Sequence, residues 1–360
     1  MLQIRNQPGL EIEIVATGMH LMPEFGKTIN EIKKDRFKIH PIYATYKKDN
    51  KESMVNFIGR FTLELLKKIK QIKPSIIFVQ GDRAETLAGA MVGAYLSIPV
   101  VHTHGGDVTS TVDEIARHAT TKLVQIHFAA TKKSAERIIK MGEDPERVFV
   151  VGAPGLDSIL NEKLLSKKEI SQKYKLDLAT PVLLILQHPV TIEVEKAAQQ
   201  MKETMEAVKE LGLPAVVIYP NADAGGRKMI QVIENYRKYP FIRIYKNLPS
   251  IDYLSLLKRV NVMIGNSSSG IIESIAFHLP AVNIGVRQEG RERACNVIDV
   301  GYSKERIKEA VKKAIYDKKF RENAKNCKNP YGDGRAGRRI AEILSKIKID
   351  KKLLQKQITY

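Results

Sequence analysis

The stretch HTHGGDVTSTVDEIARH, residues 102–118, contains three histidines and two aspartates within seventeen positions. Histidine and aspartate are frequent general acids and bases in enzymes, and histidine is also a common zinc ligand. Zinc spacings with two histidines beside a glutamate on one helix are absent from this stretch. His118 would lie on a later helix, after a long polar loop that separates it from His102 and His104. The spacing therefore predicts no metal site and favours proton transfer, without proving it.

Two aspartates in this part of the chain are candidate proton-transfer groups. Asp82 and Arg83 directly follow the apolar run IIFVQG, and Asp113 precedes Arg117 and His118 on a predicted helix. A carboxylate at such a place can act as general base or acid, and an arginine beside it can bind an anion. Each aspartate can instead cap the helix that follows it, which is a favoured position for Asp. The sequence leaves both interpretations open.

The stretch GNSSSGIIE, residues 265–273, has the composition of a phosphate-binding turn. Small residues leave an apolar run and open a helix, so backbone N–H groups and the helix dipole point at one place. Ser267 and Ser268 add hydroxyl donors, and Glu273 can accept hydrogen bonds from sugar hydroxyls. The alternative is a plain helix cap in which Glu273 reaches back to the backbone. The flanking glycines favour the phosphate interpretation.

A histidine and three arginines follow other apolar runs. His188 stands in QHPVT, and Arg287, Arg291 and Arg293 stand in GVRQEGRERACN. An arginine cluster at the end of a strand suits a diphosphate. A single histidine is often structural, however, and arginines are often simply solvated, so the residue types alone do not decide.

The elements that would position these residues alternate along almost the whole chain. Short apolar runs such as SIIFVQ (75–80) and PVLLILQ (181–187) alternate with longer amphipathic segments. This alternation predicts an α/β fold with parallel sheets, in which ligands bind at the carboxyl ends of the strands. The length of 360 residues suits two domains. We predict two Rossmann-like domains that face each other across a cleft, residues 1–165 and 166–345, followed by a tail, residues 346–360.

Composition argues against nucleic acid and membrane as partners. The net charge is +19, but the lysines are spread over amphipathic segments and aromatic residues make up only 6%. No platform for base stacking is therefore visible. No apolar run is long enough to span a bilayer, and the first residues do not have the layout of a secretory signal. Cys295 and Cys327 have no metal-ligand spacing, so we predict a cytoplasmic protein with both cysteines reduced.

Seven motifs in fixed order resemble the hydrolysing UDP-N-acetylglucosamine 2-epimerases, which open the synthesis of sialic-acid-type sugars. The resemblance extends from about residue 11 to the segment NPYGDGRAGRRI, residues 329–340. The motifs that carry the resemblance are TGMHLMPEFGKT, GDRAET, HTHGGDVTSTVDEIARHATTKL, LQHPVT, NADAGG, GNSSSGIIES and GVRQEGRER.

The resemblance implies a fold, a reaction and a set of partners. The fold is two Rossmann-like domains in the glycosyltransferase-B arrangement, usually as a homodimer, with a UDP-sugar in the cleft and no cofactor or metal. UDP would leave by elimination across C1–C2 of the sugar, and water would then add to release N-acetylmannosamine and UDP. The same chemistry on UDP-N,N'-diacetylbacillosamine is an alternative. A glycosyltransferase of this fold and a binding protein without activity are further alternatives.

The resemblance also implies residue roles. Asp82 and Asp113 are expected to transfer protons, with His188 near the diphosphate and His104 as a further acid or base. His104 stands where many relatives have an acidic residue. The expected binding residues are His20, Arg83, Arg117, Asn221, Ser267, Ser268, Glu273 and Arg287.

One part of the family pattern is not found. Relatives normally begin with a strand and a glycine-rich loop that contributes a nucleotide-binding arginine. This chain begins with MLQIRNQPGLEIEIV, which resembles the tail of the helix that follows that loop. About 25 residues of the family pattern are therefore expected to be absent, judging by the usual length of a strand, a loop and a helix.

Overall fold

The computed structural model describes residues 1–360, apart from the side chains of residues 160 and 161. All strand pairs in the described chain are parallel. The strands are β1 (Glu13–Ala16), β2 (Lys38–Pro41), β3 (Ile77–Gln80), β4 (Val100–Thr103), β5 (Ile126–Ala129), β6 (Val148–Val150), β7 (Leu183–Leu186), β8 (Ala215–Ile218), β9 (Ile242–Tyr245), β10 (Val262–Gly265), β11 (Ala281–Ile284) and β12 (Val297–Val300).

Helices connect most of these strands, as parallel pairing usually requires, and a loop connects β11 with β12. The α-helices are α1 (Leu2–Arg5), α2 (Ile29–Lys34), α3 (Lys51–Ile72), α4 (Ala84–Tyr95), α5 (Val112–Leu123), α6 (Lys132–Lys140), α7 (Asp157–Asn161), α8 (Lys167–Tyr174), α9 (Ala197–Leu211), α10 (Gly226–Glu234), α11 (Ser250–Leu257), α12 (Ser269–Ile272), α13 (Lys304–Tyr316), α14 (Lys318–Asn326), α15 (Ala336–Leu344) and α16 (Lys351–Leu354). Among the described residues, no helix combines the length and apolar character that a membrane span needs.

The C-terminal half is built on one sheet of six strands, in the order β12-β11-β10-β7-β8-β9. Its central strands are continuous apolar runs, such as LLIL in β7 and AVVI in β8, because helices cover both faces of the sheet. One core cluster, which includes Met201, Val217 and Val311, lies on one face. A second cluster, which includes Ile170 and Val216, lies on the other. The predicted α/β fold with parallel sheets is confirmed.

The N-terminal half has two separate sheets, β1-β2 and β3-β4-β5-β6. The two sheets share no strand pairing, but Val15 of β1 and Ile77 of β3 pack against the same apolar cluster. Helix α3 contributes Phe57, Phe61 and Leu65 to that cluster from one face, with the spacing of an amphipathic helix. The carboxyl ends of β3 and β4 lead directly into the segments that carry the candidate catalytic residues.

The end of the chain returns to the N-terminal half. Ile340 and Leu344 of α15 pack with Val101 and Phe128 of the β3–β6 sheet. Beyond them, Lys356 forms an ion pair with the buried Glu143 at 2.6 Å. Helix α15, which the sequence assigned to the C-terminal domain, therefore contributes to the core of the N-terminal half, and the domain boundaries stay a prediction.

The prediction that both cysteines are reduced was wrong. Cys295 and Cys327 form a disulfide, with their Cα atoms 5.8 Å apart. The two residues are separated by 32 positions in the sequence, and neither stands in a recognisable pattern. Only the fold shows that the loop between β11 and β12, which carries Cys295, lies beside the end of α14.

Candidate active site

Polar side chains gather at the carboxyl ends of six parallel strands. This is where the alternation of strands and helices predicted a ligand cleft. Each strand leads into a short segment that carries the side chains: Asp82 and Arg83 after β3, His104 and Asp107 after β4, His188 after β7, Asn221 and Asp223 after β8, Ser267 and Ser268 after β10, and Arg287 and Arg291 after β11.

Arginines of one half of the molecule pair with carboxylates of the other half. Arg287 Nη2 lies 3.3 Å from Asp113 Oδ2, and Arg291 Nη2 lies 3.0 Å from Asp107 Oδ2. In the opposite direction, Arg83 Nη1 lies 2.7 Å from Asp223 Oδ1. These three pairs bring positive and negative charge together where the two halves meet.

Asp82 accepts a hydrogen bond from the guanidinium of Arg117. Arg117 is fully buried, and its Nη1 also donates to the Asp107 carbonyl at 2.9 Å and to the Thr109 hydroxyl at 3.3 Å. Burial alone would raise the pKa of the Asp82 carboxyl, but the charges of Arg117 and Arg291 outweigh it and hold the pKa below its usual value. Asp82 is therefore ionised at neutral pH.

Asp113 lies close enough to Asp82 for the two carboxylates to influence each other. Burial and the charge of Asp82 raise the pKa of the Asp113 carboxyl above its usual value, although Arg287 opposes the shift. Thr111, not Asp113, caps helix α5 by accepting a hydrogen bond from the Asp113 amide. The Asp113 side chain is thus not used as a helix cap. Two neighbouring carboxyls with opposite pKa shifts are a common arrangement for acid–base catalysis.

Asp107 is a site residue that the sequence interpretation did not select. Its carboxylate accepts hydrogen bonds from Ser134 Oγ at 2.8 Å and from Arg291, and His104 Nδ1 lies 3.3 Å away. His104 has a left-handed backbone conformation, with φ of 62°, which is uncommon for a residue with a Cβ atom. Burial opposes ionisation of Asp107, but these partners and the charge of Arg117 hold the pKa of its carboxyl well below the usual value.

His188 is fixed by hydrogen bonds with residues that follow two other strands, β8 and β10. Its backbone N–H donates to Asn266 Oδ1 at 2.7 Å, and its Nδ1 accepts a hydrogen bond from the Asn221 amide at 3.1 Å. Burial and the charges of Arg287 and Arg83 hold the pKa of His188 well below its usual value, so the ring is neutral. Because Nδ1 accepts, the proton is on Nε2, which can donate to an anionic ligand.

The segment after β10 presents serines and a carboxylate. Ser267 Oγ accepts a hydrogen bond from the Ser269 amide at 3.3 Å, and Ser268 precedes the short helix α12 without a side-chain cap. Within the described chain, Glu273 Oε2 is buried and has no hydrogen-bond partner. Burial raises the pKa of this carboxyl. The capping-box alternative is therefore not formed, and the Glu273 oxygen can accept a hydrogen bond from a ligand hydroxyl.

Comparison with known proteins connects this geometry with one family. The family model described as UDP-N-acetylglucosamine 2-epimerase matches residues 2–345. This chain belongs to the UDP-N-acetylglucosamine 2-epimerase family. The resemblance that the motifs predicted is confirmed.

Two relatives of this chain are named for different substrates. The chain is 38% identical to the UDP-N,N'-diacetylbacillosamine 2-epimerase (hydrolyzing) of Legionella pneumophila, over 99% of this chain and 94% of that protein. It is 32% identical to the UDP-N-acetylglucosamine 2-epimerase of Neisseria meningitidis, over 88% of this chain and 83% of that protein.

The epimerase fold is also seen in solved structures. The crystal structure of UDP-GlcNAc 2-epimerase from Neisseria meningitidis bound to UDP-GlcNAc superimposes with a TM-score of 0.74 at 19% identity. The superposition covers 93% of this chain and 100% of the Neisseria meningitidis chain. At this identity the match shows the fold alone, and it confirms the predicted glycosyltransferase-B arrangement.

The structure places two predicted binding residues, Arg117 and His20, in different surroundings. Arg117 is enclosed behind Asp82, so it supports that carboxylate from within the protein. His20 is exposed on a short 3₁₀ turn, where Nδ1 lies 2.7 Å from Thr28 Oγ1. Asp107 and Asp223 lie in the site but were not predicted as site residues from the sequence. Asp107 lies in the segment 102–118, directly after Gly106. Its acidic side chain beside a Gly-Gly turn was the feature of the sequence that could have indicated it.

The buried His102 predicts a loss of stability in mild acid. Its Nε2 donates to the Gly81 carbonyl at 2.6 Å, and burial lowers its pKa to about 3. The unfolded chain takes up this proton below pH 6.5, whereas the folded chain does not. Stability therefore falls as pH falls from 6.5 towards 3, by about 1.4 kcal/mol per pH unit from this residue.

Urea denaturation at pH 7.5 and pH 5.0 measures this effect. We expect His102→Gln, which keeps a donor for Gly81, to lose about 2 kcal/mol less than the native chain between these pH values. His278→Gln is the control, because His278 is exposed in the folded state. Equal pH dependence of the native chain and His102→Gln would contradict the assignment of a neutral His102.

Proposed function

We propose that this chain is a hydrolysing 2-epimerase that acts on a UDP-linked 2-acetamido sugar. The observation that carries the proposal is the pair of neighbouring carboxyls Asp82 and Asp113, which contact Arg117 and Arg287 and have pKa values shifted in opposite directions. In the proposed reaction, the C2 proton and the UDP group leave the sugar together. Water then adds at C1, and a solvent proton adds at C2 on the opposite face.

The two carboxyls divide the proton transfers in this proposal. Asp113 accepts the C2 proton, because its raised pKa makes its ionised form the stronger base. Asp82, which Arg117 keeps ionised, accepts a proton from the water that attacks C1. In this scheme Arg117 positions Asp82 and does not touch the substrate.

Positive charge and N–H groups stabilise the leaving diphosphate. Arg287 donates to the Asn266 carbonyl at 3.2 Å and lies beside Asp113, so it can hold the diphosphate near C2. The neutral His188 donates from Nε2, and Ser267 and Ser268 offer hydroxyl groups. Glu273 accepts hydrogen bonds from the ribose hydroxyls. In this proposal, this set stabilises the departing UDP.

The relatives support two substrates. The more similar of the two relatives described above is named for UDP-N,N'-diacetylbacillosamine, and the other for UDP-N-acetylglucosamine. The sequence comparison thus favours the diacetylated sugar, which the sequence interpretation held as its alternative. The homodimer, which the family resemblance implies, and the cytoplasmic location, which the composition suggests, stay predictions.

Incubation of the chain with each UDP-sugar in deuterated water tests the proposal. We expect UDP and a free sugar with inverted C2 that carries deuterium at C2, because the new proton comes from solvent. NMR identifies the sugar and the isotope. We expect faster release from UDP-N,N'-diacetylbacillosamine than from UDP-N-acetylglucosamine.

Other outcomes point to the remaining functions. A free sugar that keeps its C2 hydrogen would mean hydrolysis without epimerisation and would exclude proton removal by Asp113. Consumption of UDP-sugar only in the presence of an acceptor would indicate a glycosyltransferase. UDP binding without any product would leave the chain as a binding protein.

A further inference from the structure

The disulfide is attached to the segment that supplies the active-site arginines. Residues 285–296 connect β11 with β12, and they carry Arg287, Arg291 and Cys295. Cys295 lies only four positions after Arg291, the arginine that pairs with Asp107 at 3.0 Å. The disulfide to Cys327 therefore restrains this segment close to Arg291.

A second contact restrains the same segment from the same stretch of chain. The Tyr331 hydroxyl donates to the Glu292 carbonyl at 2.5 Å, and the Tyr331 side chain is buried. Cys327 and Tyr331 thus hold the residues on the C-terminal side of Arg291, one through a covalent bond and one through a hydrogen bond. Two independent restraints at one place indicate that the position of Arg291 matters.

Arg291 has little freedom to compensate if the segment moves. It is buried, its Nη1 donates to Gln288 Oε1 at 3.0 Å, and its Nη2 donates to Asp107 Oδ2. Asp107 in turn contacts His104 and Ser134. A displacement of Arg291 would therefore leave the buried carboxylate of Asp107 without its charged partner.

We propose that the Cys295–Cys327 disulfide is a reversible redox element that positions Arg291 for the reaction. This inference rests on the proposed function. Cys295 is exposed, so a dithiol reductant can attack its Sγ atom. The reductant's second thiol then resolves the mixed disulfide. Two electrons pass to the two cysteines, which take up two protons, and the reductant becomes a disulfide.

Activity in the two thiol states tests the proposal. We expect the oxidised chain to have a kcat/KM roughly tenfold to a hundredfold above that of the chain reduced with dithiothreitol, because small displacements of a positioning group have effects of this size. Re-oxidation should restore the activity. The double variant Cys295→Ser/Cys327→Ser should match the reduced chain and should not respond to dithiothreitol.

A second readout does not depend on turnover. Hydrogen exchange of the backbone amides in residues 286–296 should be faster in the reduced chain than in the oxidised chain, while exchange in β7 and β8 stays the same. Thiol titration confirms the redox state in each sample. Tyr331→Phe, which keeps the disulfide, should enlarge the difference between the two states.

These measurements separate failure of the inference from failure of the proposed function. Faster exchange on reduction, without activity in either state, would retain the positioning role of the disulfide and would refute the assigned reaction. Equal exchange and equal kcat/KM in both thiol states would overturn the inference and leave the epimerase proposal standing.

Discussion

Asp82→Asn should lower kcat/KM by about 10²-fold to 10⁴-fold, the usual contribution of a general acid or base. Asparagine keeps the size of the side chain and can still accept a hydrogen bond from Arg117, but it cannot take a proton from water. Because the substitution is isosteric, the chain should remain folded and should still bind UDP. Steady-state kinetics and calorimetric titration with UDP measure the two effects separately.

A change in the pH profile distinguishes catalysis from a structural role for Asp82. The charge of Asp82 raises the pKa of Asp113, so its removal should lower that pKa. Since Asp113 acts as a base in the proposed mechanism, the acidic limb of the residual kcat/KM should move to lower pH. The control is Asp177→Asn, which replaces an exposed aspartate outside the cleft and should leave the profile unchanged. A rate loss below about threefold for Asp82→Asn would fall well short of the usual contribution and would leave Asp82 only a structural role as the partner of Arg117.

The fold class could be predicted because strand and helix periodicity is a local property of the sequence. The runs SIIFVQ and PVLLILQ form the strands β3 and β7, of which β7 is buried and β3 is a partly exposed edge strand, and the polar residues after them lie at the carboxyl ends of the sheets. This rule places His188 and Asp82 without any knowledge of long-range contacts. The position of α15 was not predictable in this way, because an amphipathic pattern does not indicate which core the apolar face packs against.

The contacts within the site depend on residues that are distant in the sequence. Arg287 and Asp113 are 174 positions apart and lie 3.3 Å from each other. No local pattern indicates that pair, or the pair between Arg291 and Asp107. The disulfide escaped prediction for the same reason. The resemblance of the motifs to a family predicted that the residues share one cleft. Their pairing, and the pKa shifts that result from it, could be seen only in the structure.

Arg117→Met should lower the free energy of unfolding by about 3 kcal/mol, because removal of one partner from a buried ion pair leaves the other partner without compensation. Arg117 is fully buried, whereas the Asp82 side chain is 22% exposed, so the loss should lie at the lower end of the usual range. Methionine has a similar length and fills most of the same space. Urea denaturation of the native chain and the variant measures the loss.

The double variant Asp82→Asn/Arg117→Met shows whether the destabilisation comes from the pair. When residue 82 is neutral, removal of the Arg117 guanidinium leaves no buried charge without a partner. The double variant should therefore lose less free energy of unfolding than the sum of the losses in the two single variants. The difference is the coupling energy of the pair. A loss equal to that sum would mean that Arg117 stabilises the chain through Thr109 and the Asp107 carbonyl instead. In that case Asp82 would be ionised without help from Arg117, and the proposed support of the catalytic carboxylate would have to come from Arg291.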